Sequence, residues 1–340
     1  MEIILPAGGL STRFPNMRPK YTLADYTGTM MFERSIEPYV GKHHITMGII
    51  AENEEKYSIA DYVKEKYGDQ ITLVILPERT SGPADTAYQI IKQAGIDPSA
   101  EILIKDCDSF FEHEYQPGNY VCVSSIKDHE VLKKLGSKSF IVSNDQGIIT
   151  SIIEKQVVSD KFCVGGYKFN NAGMYVDAFE ALVNANVQEI FVSHIIEECL
   201  NSQHIFKEST VSNYTDVGTA EDWFEYNDKA TVFCDIDGTI IKAQHRTKTD
   251  LVEPLDNNIA RVKKLVANGG KLIFTTSRPA SRHDADKKLL EQLGFTDFEL
   301  ISGLPNAKRI LINDYNDANP YPRAISVNVR RDSDNLSDYI

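Results

Sequence analysis

Leu5-Pro6-Ala7-Gly8-Gly9-Leu10-Ser11-Thr12-Arg13-Phe14-Pro15, followed after Asn16-Met17 by Arg18-Pro19-Lys20, is the stretch that decides how the first part of this chain reads. It closes the apolar run Ile3–Leu5, whose β-branched residues at a strand-like length predict a buried strand. A Gly pair at a strand end lets backbone N–H groups approach a polyphosphate closely. Arg13 and Lys20 then neutralise phosphate charge, the first through a planar fork and the second as a point charge. A Gly pair alone is often only a turn. Gly8-Gly9 with Arg13 and Pro19-Lys20 behind it points to a phosphate loop.

Working outward, short apolar runs alternate with helical patterns. Ile45–Ile50, Ile71–Leu76, Ile102–Ile104 and Val121–Ser125 read as strands, and Glu54–Tyr67 and Ala84–Ala94 carry helical spacing. Such alternation predicts a mostly parallel sheet covered by helices, with ligands at the carboxyl ends of its strands. A second run of the same kind begins late. Thr231–Cys234 reads as a strand, Asn258–Asn268 as a helix closed by Gly269-Gly270, and Lys271–Phe274 and Ile310–Ile312 as further strands. The polar stretch Glu225–Lys229 separates the blocks and places a domain boundary near residue 229, giving domains 1–229 and 230–340. The tail after Arg330, rich in Asp and Ser, is expected to be loosely held.

Residues 1–225 resemble the sugar-phosphate nucleotidyltransferases. The loop Ala7–Lys20 is similar to that family's Gly-rich, Arg, Pro-Lys signature, and four further motifs follow in order. Gly82-Pro83-Ala84-Asp85-Thr86-Ala87 resembles the segment that holds the nucleobase. Lys105-Asp106-Cys107-Asp108 resembles the position of the first metal-binding aspartate, with Asp106 and Asp108 both open and Asp108 preferred. Glu154-Lys155 resembles the pair that contacts sugar hydroxyls and sugar phosphate, although Gln156 stands where many relatives have Pro. Asp216-Val217-Gly218-Thr219 resembles the motif of the second metal aspartate.

The resemblance implies nucleotide contacts at Ala7, Gly8, Gly9, Gly82 and Thr86, and acceptor contacts at Glu154 and Lys155. It implies Mg²⁺ on Asp108 and Asp216, with Arg13 and Lys20 as catalytic cations. The implied reaction is attack of a sugar or polyol phosphate on the α-phosphorus of a nucleoside triphosphate, CTP by weak preference. Bound carboxylates and phosphates suit Mg²⁺ better than zinc.

Thr231-Val232-Phe233-Cys234-Asp235-Ile236-Asp237-Gly238-Thr239 is an apolar strand ending in paired acids. Alternation along a strand puts residues two apart on one side. Paired acids there can bind Mg²⁺, with one attacking phosphorus and the other acting as general acid and base. The segment resembles the first motif of the haloacid dehalogenase superfamily. Thr276 in Thr275-Thr276-Ser277-Arg278, Lys308, and Asp314 in Asn313-Asp314-Tyr315-Asn316-Asp317 resemble its remaining motifs. That resemblance, covering residues 230–325, implies a phosphatase similar to those of capsule biosynthesis, with Asp235 and Asp237 catalytic. It implies phosphate contacts at Thr276 and Lys308, and Mg²⁺ on Asp235, Asp237 and Asp314. Asn313 and Asp317 are left open.

The intervals between these motifs are too short for a full cap domain. The expected fold class is therefore α/β: two Rossmann-like three-layer domains, a mixed nucleotidyltransferase sheet and then a smaller, nearly capless parallel sheet. The loop Lys242–Asp250, with His245, Arg246 and Lys248, reads first as a solvated loop, with substrate contact as the alternative.

Composition sets the outer limits. The chain has 340 residues, 42% hydrophobic and 25% charged, as expected of a globular protein with two cores. Its net charge of −13 argues against a nucleic-acid or anionic-membrane surface. No segment reaches the length of a membrane helix, and five scattered cysteines without a CxxC pair suit a reduced cytoplasmic setting. A homo-oligomer is expected only from the family. Two alternatives accompany the main reading: a second domain that only regulates or dimerises, and a glycosyltransferase using Asp106-Cys107-Asp108 as its metal motif.

Overall fold

The computed structural model of the protein describes residues 1–9, 11–15, 17–128, 135–243, 252–313 and 324–340. The chain divides into two compact units, Met1–Trp223 and Phe224–Ile340. The helix Ala220–Asn227 spans the division and takes in most of the polar stretch expected to separate the blocks.

In the first unit the elements run β1 (Glu2–Pro6), α1 (Met31–Ile36), β2 (His44–Ile50), α2 (Ala51–Tyr57), α3 (Ile59–Tyr67), β3 (Ile71–Leu76), α4 (Pro83–Gln93), β4 (Ile102–Lys105) and β5 (Ser109–Glu112). They continue with β6 (Asn119–Ser125), β7 (Phe140–Ser143), β8 (Ile149–Ile153), β9 (Lys161–Phe169), α5 (Ala172–Asn184), α6 (Val192–Asn201), β10 (Phe206–Thr210), β11 (Ser212–Asp216) and α7 (Ala220–Asn227). Among the described residues nine of these strands form one sheet, ordered β10-β6-β9-β4-β1-β2-β3, with β7 paired to β9 and β8 to β7. The pairs β1–β2, β1–β4, β2–β3 and β10–β6 are parallel, whereas β9 runs antiparallel to β4, β6 and β7. The sheet is mixed, as expected, and on this path all strands but β9 share one direction; β9 is a nearly continuous buried run through Gly165-Gly166 that lies between two strands running the other way.

Alternation along β1 feeds two cores. Ile4 packs with Ala84, Ala87 and Ile90 of α4 and Tyr175 of α5, while Ile3 and Leu5 pack with Phe32 of α1 and Val63 of α3. A sheet with a core on each face is a three-layer unit. The helical pattern Glu54–Tyr67 is two helices, because Ser58 takes a left-handed φ of +48° between α2 and α3. A separate ribbon, β5 with β11 antiparallel, pairs Asp216 with Ser109.

In the second unit β12 (Thr231–Asp235), α8 (Asp256–Val266), β13 (Lys271–Thr275), α9 (His283–Gln292) and β14 (Glu299–Ile301) form a parallel sheet of order β12-β13-β14 with two helices. Cys234, Leu272 and Phe274 share one core with Ile259 and Val262 of α8 and Leu290 of α9. The described residues of this unit thus form two layers, where three were expected; Phe233 and Ile301, of opposite parity along their strands, are exposed. Ile310–Ile312 forms no strand, and its side chains are exposed. Three apolar residues meet the burial pattern of a strand without supplying a ladder partner.

The tail is not loose. Asp332 N–H donates to the Gly238 carbonyl, Asp334 accepts from the backbone N–H of Asn258, and Leu336 joins the core at 6% exposure. Its acids accept from backbone N–H groups, Asp332 from Ala243 and Asp334 from Asn258 in the first turn of α8. All five cysteines are buried and unpaired. No helix among the described residues is long and apolar enough to cross a membrane.

Candidate active site

The glycine loop leaves the carboxyl end of β1. Ala7 N–H donates to the Gly48 carbonyl, which keeps the chain in line with β2, and Ser11 then turns with φ +51°. The Ser11 hydroxyl accepts from the backbone N–H of Lys20 at 3.0 Å, so the loop closes on itself and returns Lys20 to the strand end. A methyl group added at Gly8 would lie 3.3 Å from Thr86 Cγ2. The loop therefore abuts the first turn of α4, where Gly82 precedes the helix and Thr86 donates to the Gly82 carbonyl at 3.0 Å.

Asp108 sits between β4 and β5 in a turn built around a buried lysine. Lys105, 0% exposed, donates to the carbonyls of Asp106 (2.7 Å) and Ser109 (2.6 Å) and to the Ser109 hydroxyl (3.0 Å). Burial lowers the Lys105 pKa to about 8, against the pull of Asp106 and Asp108. Lys20 Nζ lies 2.5 Å from Asp108 Oδ2, with Arg13 at 3.8 Å from the same oxygen. Burial opposes ionisation of this pair, but their mutual attraction outweighs it: the Asp108 pKa falls and that of Lys20 rises.

The ribbon brings the second acid in. Asp216 ends β11 opposite Ser109, and Val217 N–H donates to the Asp108 carbonyl at 2.9 Å. A Cβ at Gly218 would lie 3.0 Å from Asp216 Oδ1, 3.2 Å from Asp108 Oδ2 and 3.5 Å from Arg13 Nη1. Both carboxylates and the guanidinium thus converge on one glycine. Asp106 packs on Gly165; burial first, and the charge of Asp108 second, raise its pKa.

Lys138 was not singled out in the sequence. It pairs with Asp216 and donates to the Tyr214 hydroxyl at 2.8 Å. Burial disfavours its charge, but Tyr214 and Asp216 hold its pKa above the ordinary value. Lys155 N–H donates to the Lys138 carbonyl at 3.0 Å, bringing the Glu154-Lys155 pair alongside. Glu154 Oε2 accepts from the hydroxyls of Ser139 and Ser193, the latter at 2.6 Å. The Lys155 ammonium lies 4.0 Å from the centre of the Phe191 ring.

The large mixed sheet has the fold of solved nucleotidyltransferases. A nucleoside-diphosphate-sugar pyrophosphorylase from Vibrio cholerae RC9 superposes with a TM-score of 0.56 at 19% identity, covering 66% of this chain and 98% of its own. An inositol-1-phosphate CTP transferase from T. maritima gives 0.53 at 16% identity over 65% and 90%. A Bacillus anthracis structure, provisionally assigned as a glucose-1-phosphate thymidylyltransferase and determined with sucrose, gives 0.54 at 16% over 67% and 94%. Neither a family model nor a curated protein matches the chain.

The second unit has its own cluster of acids. Asp235 ends β12 in register with Thr275, so Asp235 and Thr276 leave the sheet at the same end. Arg278 grips Asp237 with both arms, Nε to Oδ2 at 2.8 Å and Nη2 to Oδ1 at 2.7 Å, and reaches the buried Asp286 at 2.6 Å. The Asp237 contact is the main reason its pKa is raised. Burial, opposed by Arg309, raises the Asp235 pKa. Thr276 is buried, its hydroxyl accepting from Arg278 N–H. Lys308 is exposed, and it is the next residue, Arg309, that lies 3.9 Å from Asp235. Asp314, Asp317, His245, Arg246 and Lys248 lie outside the described residues.

Both acid pairs are hard oxygen donors. Mg²⁺ is ordinarily held by one or two carboxylates with substrate phosphates completing its shell. Asp108 and Asp216 each already accept a cationic ammonium, so the donor set of the first site fits a cation. Among the described residues no group of three or more His, Cys, Asp or Glu is arranged to hold a metal, so the protein offers acids rather than a complete cage.

Proposed function

We propose that the first unit transfers a nucleotidyl group from a nucleoside triphosphate to a sugar or polyol phosphate, releasing pyrophosphate. The observation that carries this reading is the convergence of Asp108, Asp216 and Arg13 on Gly218, beside a glycine loop closed by Lys20. The acceptor phosphate oxygen bonds to the α-phosphorus as the bond between the α-phosphorus and its bridging oxygen to the β-phosphate breaks, and pyrophosphate carries away the electron pair. The attacking oxygen is already anionic, so no general base is required. Alignment and charge neutralisation are what the protein must supply. Arg13 and Lys20 draw in the triphosphate. Glu154 Oε1, free of the two serines that occupy Oε2, accepts from an acceptor hydroxyl. Asp108 and Asp216 would hold Mg²⁺, which would supply charge neutralisation at the α-phosphate.

In the same proposal the second unit hydrolyses a phosphate monoester of the pathway. Asp235 attacks phosphorus as the bond to the ester oxygen breaks, and Asp237, which Arg278 contacts, gives that oxygen a proton as the alcohol leaves. Asp237 then takes a proton from a water that attacks the aspartyl-phosphate, releasing inorganic phosphate and restoring Asp235. Mg²⁺ would rest on Asp235 and Asp237, with Asp314 as the further ligand. Together the two steps would make an activated donor for a surface glycan, in a cytoplasmic setting. CTP is the first triphosphate to try, since one fold neighbour is named as a CTP transferase.

The test incubates the full chain and Mg²⁺ with each ribonucleoside triphosphate and dTTP against a panel of sugar and polyol mono- and bisphosphates. Pyrophosphate and inorganic phosphate are read separately. Pyrophosphate from one triphosphate–acceptor pair is expected. Its absence across the panel, with nucleoside diphosphate released when nucleotide sugars replace the triphosphates, would replace this reading by glycosyl transfer.

A further inference from the structure

We propose that Lys138 binds the phosphate group of the acceptor; the proposal rests on the nucleotidyl-transfer reading for the identity of that acceptor. The argument begins with the distribution of charge. Arg13 and Lys20 both lie on Asp108, the acid nearer the glycine loop. Lys138 lies on the other acid, Asp216, and is the third cation beside the pair.

Two contacts hold the Lys138 ammonium in place, Asp216 and the Tyr214 hydroxyl. An ammonium has three N–H donors, so one remains for a phosphate oxygen. The backbone ties the lysine to the acceptor side. The Lys138 carbonyl receives Lys155 N–H, and the next residue, Ser139, donates to Glu154. Lys138 is thereby placed between the carboxylate expected to hold a sugar hydroxyl and the second metal acid. Lys155, by contrast, has a left-handed φ of +57° and rests its ammonium on the face of Phe191. Of the two lysines it is Lys138 whose charge faces the reacting groups.

The experiment compares the full-length wild type with Lys138→Met, Lys138→Arg and Tyr214→Phe. CTP, glucose 1-phosphate and inositol 1-phosphate serve as probes in calorimetric titrations. Steady-state kinetics use the triphosphate–acceptor pair that yields pyrophosphate with the wild type. Lys138→Met should weaken the phosphate probe, or raise the acceptor KM, roughly 10- to 100-fold, the worth of a hydrogen bond to a charged group, while CTP affinity stays unchanged. Lys138→Arg should recover part of the loss, and Tyr214→Phe should show a smaller loss in the same direction. The proposal falls if Lys138→Met keeps the wild-type acceptor KM, or if CTP and acceptor affinities drop together. A wild type that binds a phosphate probe through Lys138 yet releases no pyrophosphate would sink the transfer reading and leave the anchor standing.

Discussion

Replacing Gly165 with Ala tests how the first acid is held. Gly165 lies inside β9 with φ +84°, and an added Cβ would stand 2.5 Å from Asp106 Oδ2, 2.8 Å from its Cβ and 2.9 Å from its Cγ. The left-handed backbone costs an L-residue about 1 kcal/mol. Overlap with a packed neighbour adds about 1–3 kcal/mol. The expected loss is therefore about 2–4 kcal/mol, and relieving it means moving Asp106, whose N–H donates to the Gly165 carbonyl at 2.8 Å. That shift passes through the turn to Asp108. Urea unfolding is followed by the fluorescence of the single tryptophan, Trp223, which is 4% exposed and belongs to the first unit. At a slope of about 2–3 kcal/mol/M, the midpoint should fall by about 1 M. Gly9→Ala is the control: nothing lies within 4 Å of its added Cβ, so its midpoint should hold. A Gly165→Ala midpoint within about 0.2 M of wild type, the range of a neutral surface change, with normal pyrophosphate release, would refute the argument.

Asp216→Ala should abolish metal-dependent pyrophosphate release and spare phosphate release, and Asp235→Asn should do the reverse; loss of both activities in either folded variant would overturn the two-site scheme. Arg278→Ala leaves Asp286, 1% exposed, without its shortest cation contact. It should cost about 3 kcal/mol by thermal circular dichroism; an unchanged melting profile would show that the network carries little. Lys105 has a folded pKa of about 8 against 10.5. Its buried charge therefore penalises folding in full below pH 8, and the penalty fades as pH rises toward 10.5, where the unfolded chain keeps a proton that the folded one has lost. Wild type should gain up to about 3 kcal/mol relative to Lys105→Met between pH 7.5 and 10; parallel urea midpoints across that range would contradict it.

What could be read from the sequence was what is written locally. Gly8-Gly9, Arg13 and Lys20 close one loop, and Asp216-Val217-Gly218 is a strand end with its own turn, so each announces itself within a few residues. Most predicted strands match the observed ones to within a residue or two for the same reason. Lys138 could not be found that way. It stands in Gly136-Ser137-Lys138-Ser139 with no periodicity around it, and only the pairing of distant strands sets it on Asp216. The direction of β9 was equally hidden, since a buried run has the same composition whichever way it points. The tail's Asp and Ser read as solvated residues, whereas Asp332 and Asp334 accept from backbone N–H groups.

The ribbon of β5 and β11 has a consequence for how the protein is made. Asp108 arrives with the central strands, but its partner Asp216 is among the last residues of the first unit. A nascent chain emerging from the ribosome can lay down β1 to β4 and their helices long before any acid faces Asp108. The proposed metal-binding pair comes into being only when Ser212–Asp216 zips onto Ser109–Glu112. Truncation upstream of Ser212 would thus leave a protein with most of its sheet and only one of the two acids.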